Sequence, residues 1–383
     1  MADIDDSRWY EAFTSTGYRF MRVSRETGKE IERIGVVSGG TITRNDSTSI
    51  KESAEMTLVG SYDFGPDLLR IYAEFGWMDG TTADVCLGTF LPVTPSRSVK
   101  AGYSTASLKL YGRLQELLDD KFAKPYTVAP GSNAVLVAKS VVESMGFECI
   151  AEESDYTTTQ TRYYGVGAET DQVDESDDSD SSSTKDTKLG MVNDLLDLAG
   201  FRAAFTDPYG RVILQKYVDA SNKPVAWEFI EGANAKFCAE MEEERDYTDT
   251  ANHVVVRYGS STGDVVIGEA WDNDPNSDLS TVSRGRTITT SYTYNELPEV
   301  SEDQTQQEYA DARAATLLKT AQAIVRRFTF IHTYAPVALS DVVKLEYPSA
   351  GIDETPQVRT QTITLSAGCP VECEARKFNR RSS

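Results

Sequence analysis

Few residues in this chain have the type and spacing needed for acid–base or nucleophilic chemistry. Gly259-Ser260-Ser261-Thr262-Gly263 matches G-x-S-x-G, the sharp turn that exposes a hydrolase serine between a strand and a following helix. Here Asp264-Val265-Val266-Ile267-Gly268 follows and reads as a strand, so the motif is expected to be a hairpin loop. The one later histidine, His332, falls inside the strand pattern Phe328-Thr329-Phe330-Ile331-His332. Asp272-Asn273-Asp274-Pro275-Asn276-Ser277-Asp278 places oxygens at alternate positions, as a calcium loop does. Ser277 stands where that loop needs glycine and Ser283 where it needs a bidentate glutamate, so a loop of turn formers is expected. The two histidines, His253 and His332, lie in strand patterns with no carboxylate or cysteine at metal-ligand spacing. Cys86, Cys149, Cys238, Cys369 and Cys373 are odd in number and scattered, which reads as free thiols, mostly buried. No phosphate loop of the G-x-x-x-x-G-K-[ST] type occurs. No catalytic, cofactor-binding or metal-ligating residue is assigned, and the chain is expected not to be an enzyme.

The elements around these residues are mostly strands. Tyr18–Val23 and Glu30–Val37 flank Glu26-Thr27-Gly28, a hairpin signal. Gly40–Arg44 and Glu52–Gly60 follow, the latter alternating through Ala54, Met56 and Leu58. Leu68–Met78 and Ala83–Phe90 flank Asp79-Gly80, a type I′ signal, and Tyr103–Tyr111 closes a set that suggests a small barrel or sandwich. Arg113–Asp120 carries Leu114, Leu117 and Leu118 at helical spacing. Ser132 is placed to cap a helix over Asn133–Ser144 that Gly146 ends. A helix over Gly190–Ala199 precedes the turn Asp207-Pro208-Tyr209-Gly210 and a strand over Arg211–Tyr217. His253–Tyr258, Asp264–Ala270 and Arg286–Tyr294 read as strands, with a long loop over Asp272–Gly285. Glu302–Val325 reads as the longest helix, and Phe328–Tyr334, Val342–Tyr347 and Val358–Ser366 as the last strands.

The fold class is therefore α+β, mainly β. Residues 152–187 break the pattern: Asp174-Glu175-Ser176-Asp177-Asp178-Ser179-Asp180-Ser181-Ser182-Ser183 cannot bury enough apolar surface to offset its ordering entropy and is expected to be a flexible surface insertion.

The 383 residues are enough for several domains, and the apolar fraction of 40% supports real cores. No apolar run is long enough to span a bilayer, and the acidic start Met1-Ala2-Asp3-Ile4-Asp5-Asp6 lacks a signal core, so the chain is expected to stay in a cytoplasm until assembly. A net charge of −22 disfavours gripping DNA, because affinity comes largely from cations on phosphates. It suits a wall that DNA slides past, and also simple solubility.

The order and wording of several stretches resemble the baseplate or tail hub proteins of tailed bacteriophages. Lys188-Leu189-Gly190-Met191-Val192-Asn193-Asp194-Leu195-Leu196-Asp197-Leu198-Ala199-Gly200-Phe201 and Asp207-Pro208-Tyr209-Gly210 carry the likeness. So do Glu240-Met241-Glu242-Glu243-Glu244-Arg245-Asp246-Tyr247 and Asn252-His253-Val254-Val255-Val256-Arg257-Tyr258. Leu87–Pro92 with Tyr111–Leu118, Tyr126–Ser132 and Asn273–Ser277 with Ser283–Arg286 add to it. The resemblance implies a homotrimer in which each subunit has two tube-like β-barrel domains with intervening small α/β modules. On that reading residues 1–111 form the first barrel, 112–151 a peripheral module, 152–187 the insertion, 188–235 a second module, and 236–383 the second barrel with helix 302–325. The implied role is a structural hub of a virion tail tip or baseplate. It would adapt a sixfold tube or distal tail protein above to a threefold tip or spike below. It would surround the channel for the tape-measure protein and for DNA, which passes without specific binding, and the protein itself would not insert into a membrane. A distal tail ring protein, expected to be sixfold, is a structural rival. A glycan-binding receptor protein using the four Trp and 19 Tyr is another alternative, and a tail hydrolase lost on Ser261→Ala a further one.

Overall fold

The computed structural model describes residues 6–35, 37–60, 63–100, 103–165, 186–233, 235–245, 250–259, 265–277, 279–294, 305–322 and 324–379. The architecture is α+β and mainly β. The chain divides into two compact units: Met1–Glu240 with Phe330–Asp353 and Gln357–Glu374, and Met241–Thr329 with Glu354–Pro356 and Ala375–Ser383.

The first unit is organised by a long mixed sheet. Its early strands are β1 (Ser15–Val23), β2 (Glu30–Arg33), β3 (Val37–Asn45), β4 (Glu52–Val59), β5 (Leu68–Gly76), β6 (Thr82–Lys100) and β7 (Tyr103–Gly112). They pair in the order β3-β4-β7-β6-β5-β1-β2. On β4, Glu52, Ala54, Met56 and Leu58 are buried while the residues between them are more open, the inward alternation expected of a sheet with one covered face. Ile42, Leu69, Ile71, Phe75, Leu87, Phe90 and Leu108 complete that apolar face.

Two details differ from expectation. β6 does not stop at Phe90: it pairs with β5 over Thr82–Phe90 and continues against β7 as far as Lys100. Pro92 and Pro95 argue against a central strand, but beyond Phe90 this strand has a ladder on one side, and an edge tolerates residues without an N–H. The Asp79-Gly80 turn is a three-residue connection, closed by Trp77 N–H to Thr81 O at 3.0 Å, with Gly80 left-handed at φ 83°. The Asp79 carboxylate accepts from the Thr81 N–H (3.1 Å), which favours this bulged form over a two-residue type I′ turn.

A helical subregion follows within the same unit: α1 (Leu114–Asp119), β8 (Tyr126–Val128), α2 (Ala134–Ser144), β9 (Cys149–Ala151), β10 (Arg162–Tyr164), α3 (Lys188–Leu198), β11 (Phe205–Thr206) and β12 (Val212–Leu214). β9 pairs in parallel with β12, and β8 pairs antiparallel with β10. Segments from either side of residues 166–185 thus share one core built on Leu117, Val142, Leu189, Val192, Leu195, Leu196 and Val212. The cap of α2 is Asn133 rather than Ser132: its side chain accepts from Leu136 N–H at 3.0 Å. α3 starts earlier than expected because Thr187 caps it, accepting from Gly190 N–H at 3.0 Å. Within the expected insertion, Tyr164 is buried and donates to Asp194 at 2.5 Å; the Asp174–Ser183 run lies outside the described residues.

The next strands are β13 (Val225–Ile230), β14 (Phe237–Arg245), β15 (His253–Gly259), β16 (Val265–Trp271) and β17 (Thr289–Tyr294), with α4 (Thr281–Arg284) before β17. α5 (Gln306–Ala321), β18 (Ile324–Thr333), β19 (Val342–Tyr347), β20 (Ile352–Glu354), β21 (Gln357–Thr364) and β22 (Pro370–Asn379) end the chain. β14-β18-β22-β21 extend the long sheet beyond β3, and β13 joins it in parallel through β19. The long helix begins at a capping box, in which Thr305 N–H donates to Glu308 (2.8 Å) and Glu308 N–H to Thr305 Oγ1 (3.2 Å). It does not reach Val325: the β-branched Ile324 and Val325 open β18 instead, and Glu302–Gln304 lie outside the described residues.

The second unit contains a three-stranded sheet, β16-β15-β17, with β15 and β17 parallel. α5 covers one face, burying Val254, Val256 and Tyr258 against Ala310, Ala314 and Leu318. Gly268 permits this packing, since a Cβ there would lie 2.2 Å from the Ala310 carbonyl carbon. The Asp272–Gly285 stretch is not wholly loop: Ser280 caps α4, and Gly285 ends it at φ 64°. Lys377, from the basic end of the chain, forms an ion pair with Glu354.

Candidate functional site

The residues singled out by motif do not converge on one another. The G-x-S-x-G stretch connects antiparallel β15 and β16, with Gly259 opposite Val265. A strand therefore follows it where an elbow needs a helix; Ser261 itself lies outside the described residues. His253 is buried, with Nδ1 2.9 Å from Thr289 Oγ1 and its ring stacked on Trp271 at 3.5 Å. His332 is buried among Phe229 and Phe330, its Nδ1 donating to Thr333 O at 2.7 Å. Burial pushes His332 down to about 4, so it is neutral at physiological pH.

The Asp272 loop satisfies its own oxygens. Asp272 accepts from Ser277 Oγ (2.7 Å) and Gln322 Nε2 (2.8 Å), and Asp274 accepts from Asn276 N–H (2.9 Å). Asn252, fully buried, fastens the loop to β17: it donates to Leu279 O (3.2 Å) and Arg286 O (2.9 Å) and accepts from Ile288 N–H (2.7 Å). Among the described residues no group of three His, Cys, Asp or Glu side chains is placed to hold a metal ion. The five cysteines are free thiols, four of them buried; burial pushes Cys86 up to about 12 and Cys369 up to about 11, which suppresses thiolate chemistry.

Three constellations in the first unit have no local sequence motif. The first closes the curled sheet. Tyr18 on β1 donates to Ser366 O (2.6 Å) and Gly368 N–H donates to Thr16 (3.3 Å), although β1 and β21 are far apart along the pairing order. Such contacts require the sheet to curl until its two sides meet. The seam leaves a cleft of about 500 Å³ lined by Tyr18, Phe20, Arg33, Ile34 and Leu365.

The second is a buried ion pair between strand partners. Arg44 on β3 lies opposite Glu52 on β4, with Nε 3.5 Å from the carboxylate, and donates to Leu87 O (2.6 Å). Burial pushes Glu52 up to about 7 against the opposing pull of Arg44.

The third surrounds Asp46, in the β3–β4 turn. Its carboxylate accepts from Ser340 Oγ (2.9 Å), Arg359 (2.6 Å) and Arg202 (3.4 Å). Burial opposes its ionisation, but the Ser340 hydroxyl and the cations Arg202, Lys51 and Arg359 outweigh burial and hold it below the usual carboxylate range. These partners are spread from Lys51 to Arg359, so spacing along the chain gave no sign of them.

No family model and no curated protein matches this sequence. Solved structures do match. The tail protein from Neisseria meningitidis MC58 superposes with TM-score 0.62 at 13% identity, covering 94% of this chain and 97% of that one. The 43 kDa tail protein of prophage MuSo2 from Shewanella oneidensis gives TM-score 0.57 at 11% identity, with 94% and 98% covered. A chain of the Francisella PdpA–VgrG complex gives TM-score 0.56 at 8% identity, over 98% of this chain and 62% of that one. At such identities the likeness is one of fold: over nearly its whole length this chain has the mainly β architecture of those two tail proteins.

Proposed function

We propose that the chain is a structural component of a phage-type tail. The observation that carries this is the end-to-end correspondence, nearly complete in both directions, with two tail proteins. Local resemblance of one module would not produce it. The curled sheet supports the reading, because closing a sheet on itself shields edges that would otherwise pair indiscriminately.

The finer reading is a trimeric hub of the tail tip or baseplate, built from two tube-like regions per subunit. Three copies present six similar surfaces to a tube or distal tail protein above and threefold symmetry to a spike below. Such a ring closes because its heterologous contact repeats by a rotation that divides the circle. The ring surrounds the path of the tape-measure protein and of DNA, and a charge of −22 keeps the wall from holding phosphates. The place of action is the virion tail, and the role is architectural rather than enzymatic.

The test is solution mass by analytical ultracentrifugation with negative-stain imaging of the same sample. A trimer with a central hole is expected. A sixfold ring would replace the hub with a distal tail ring. A compact monomer that binds cell-wall glycans would replace it with a receptor-binding protein.

A further inference from the structure

The groups around Asp46 border a cavity of about 280 Å³, lined also by Asp197, Phe201, Tyr217, Lys223 and Gln357. Its hydrogen-bond inventory is unbalanced. Lys51 donates to Asp46 O, leaving two of its three ammonium hydrogens. Lys223 donates to Ser340 O (2.9 Å) and keeps two as well. Arg202 lies over the Phe205 ring (4.1 Å) and spends one of its five N–H donors on a 3.4 Å bond to Asp46. Several of the acceptors beside them are already engaged. Asp46 takes three side-chain donors, Ser340 O takes Lys223 and Gln357, and Asp341 accepts from Ala338 N–H (2.8 Å). Lys51, Arg202, Lys223 and Arg359 stand against Asp46, Asp197 and Asp341, a local cationic excess in a chain of net charge −22.

We propose that this cavity binds a small oxyanion of the phosphate class, held by Lys51, Lys223 and Arg202. The three donors come from separate segments, the β3–β4 turn, the approach to β13 and the residues after α3, and no two of them form one planar fork. An acceptor with oxygens on several sides suits them better than a flat carboxylate. The cations also repel one another: burial first, then neighbouring Arg202 and Arg359, hold both Lys51 and Lys223 below the ordinary lysine value. A bound anion relieves that repulsion. The site stands independently of the tail assignment, since it needs no partner chain.

The experiment titrates inorganic phosphate into the full chain by calorimetry and follows its Tm, with sodium chloride at matched ionic strength as the control. A saturable, single-site response to phosphate that chloride does not reproduce is expected. Lys223→Met and Lys51→Met, each checked for folding by near-UV circular dichroism, are expected to weaken it about tenfold, the scale of one charged hydrogen bond. A nucleoside monophosphate distinguishes the source. Tighter binding than inorganic phosphate assigns the site to a phosphate ester, and weaker binding to the free anion. A phosphate response equal to that of chloride overturns the proposal. So does an unchanged response in a folded Lys223→Met variant.

Discussion

On the curled sheet of the first unit, every second residue of β4 is buried, and Ala106, Leu108 and Leu110 of β7 repeat the pattern beside it. Many interchangeable apolar contacts share the burial. The three-stranded sheet of the second unit has one helix, α5, over one face, and its fit depends on particular atoms: the missing Cβ of Gly268 and the three side-chain hydrogen bonds of Asn252. A wide sheet is held by summed area, in which each side chain is one of many. A small sheet lacks that area, so close backbone approach and buried polar pins such as Asn252 carry a larger share of its stability.

The sharpest test of this contrast is Gly268→Val. With no room for a Cβ, α5 must lift from β16, and a loss of about 4 kcal/mol is expected, read as faster amide exchange along β15 and β16. Exchange close to wild type would show that the helix shifts at little cost and would erase the distinction. Leu108→Ala on the curled sheet is expected to cost about 3 kcal/mol by urea unfolding, from lost transfer energy plus a partly collapsed cavity. Asn252→Ala is expected to cost about 2–3 kcal/mol and to release exchange protection at Ile288, because it leaves buried backbone groups unpaired. A loss near that of an exposed substitution would mean the loop holds without its pin.

The smallest expected effect concerns the buried Arg44–Glu52 pair of the curled sheet. The folded Glu52 carboxyl sits at about 7 and its ordinary value is 4.5, so between these values the folded state keeps a proton that the unfolded state has released. Stability then falls as pH rises through that window and is level above it. Glu52→Gln is expected to flatten this slope, worth on the order of 1–3 kcal/mol, in urea midpoints measured across the window. Arg44 keeps an amide oxygen opposite it, so the variant should still fold. A slope unchanged in Glu52→Gln would place the titration elsewhere.

Much of the fold was legible because short-range physics sets it. The alternation of Ala54, Met56 and Leu58 marked a half-covered strand, and the leucines of Leu114–Leu118 marked a helix. The G-x-S-x-G stretch was correctly read as joining two strands, because Val265-Val266-Ile267 favours a strand over a helix. Boundaries were less legible where two local signals compete. Ser132 and Asn133 both suit a cap, and only the path of the chain shows that the Asn133 oxygen meets Leu136 N–H. Ile324 and Val325 continue an apolar helical pattern, yet the sheet claims them. Pro92 reads as a stop and is tolerated because its strand runs along an edge.

The sequence by itself determined most of the strands and helices, though not β13, β22 or α4, and it showed that charge is strongly negative. It also carried a likeness to tail hub proteins, whose coarse form agrees with the fold. Tertiary structure alone decided that β1 meets the β21 end of the sheet, that Arg44 and Glu52 share a buried place, and that Lys51, Arg202, Lys223 and Arg359 gather at Asp46. The reason is physical. Secondary structure answers to neighbours a few residues away, whereas a polar cluster joins groups hundreds of residues apart, and its energy exists only once the sheet has curled and removed them from water.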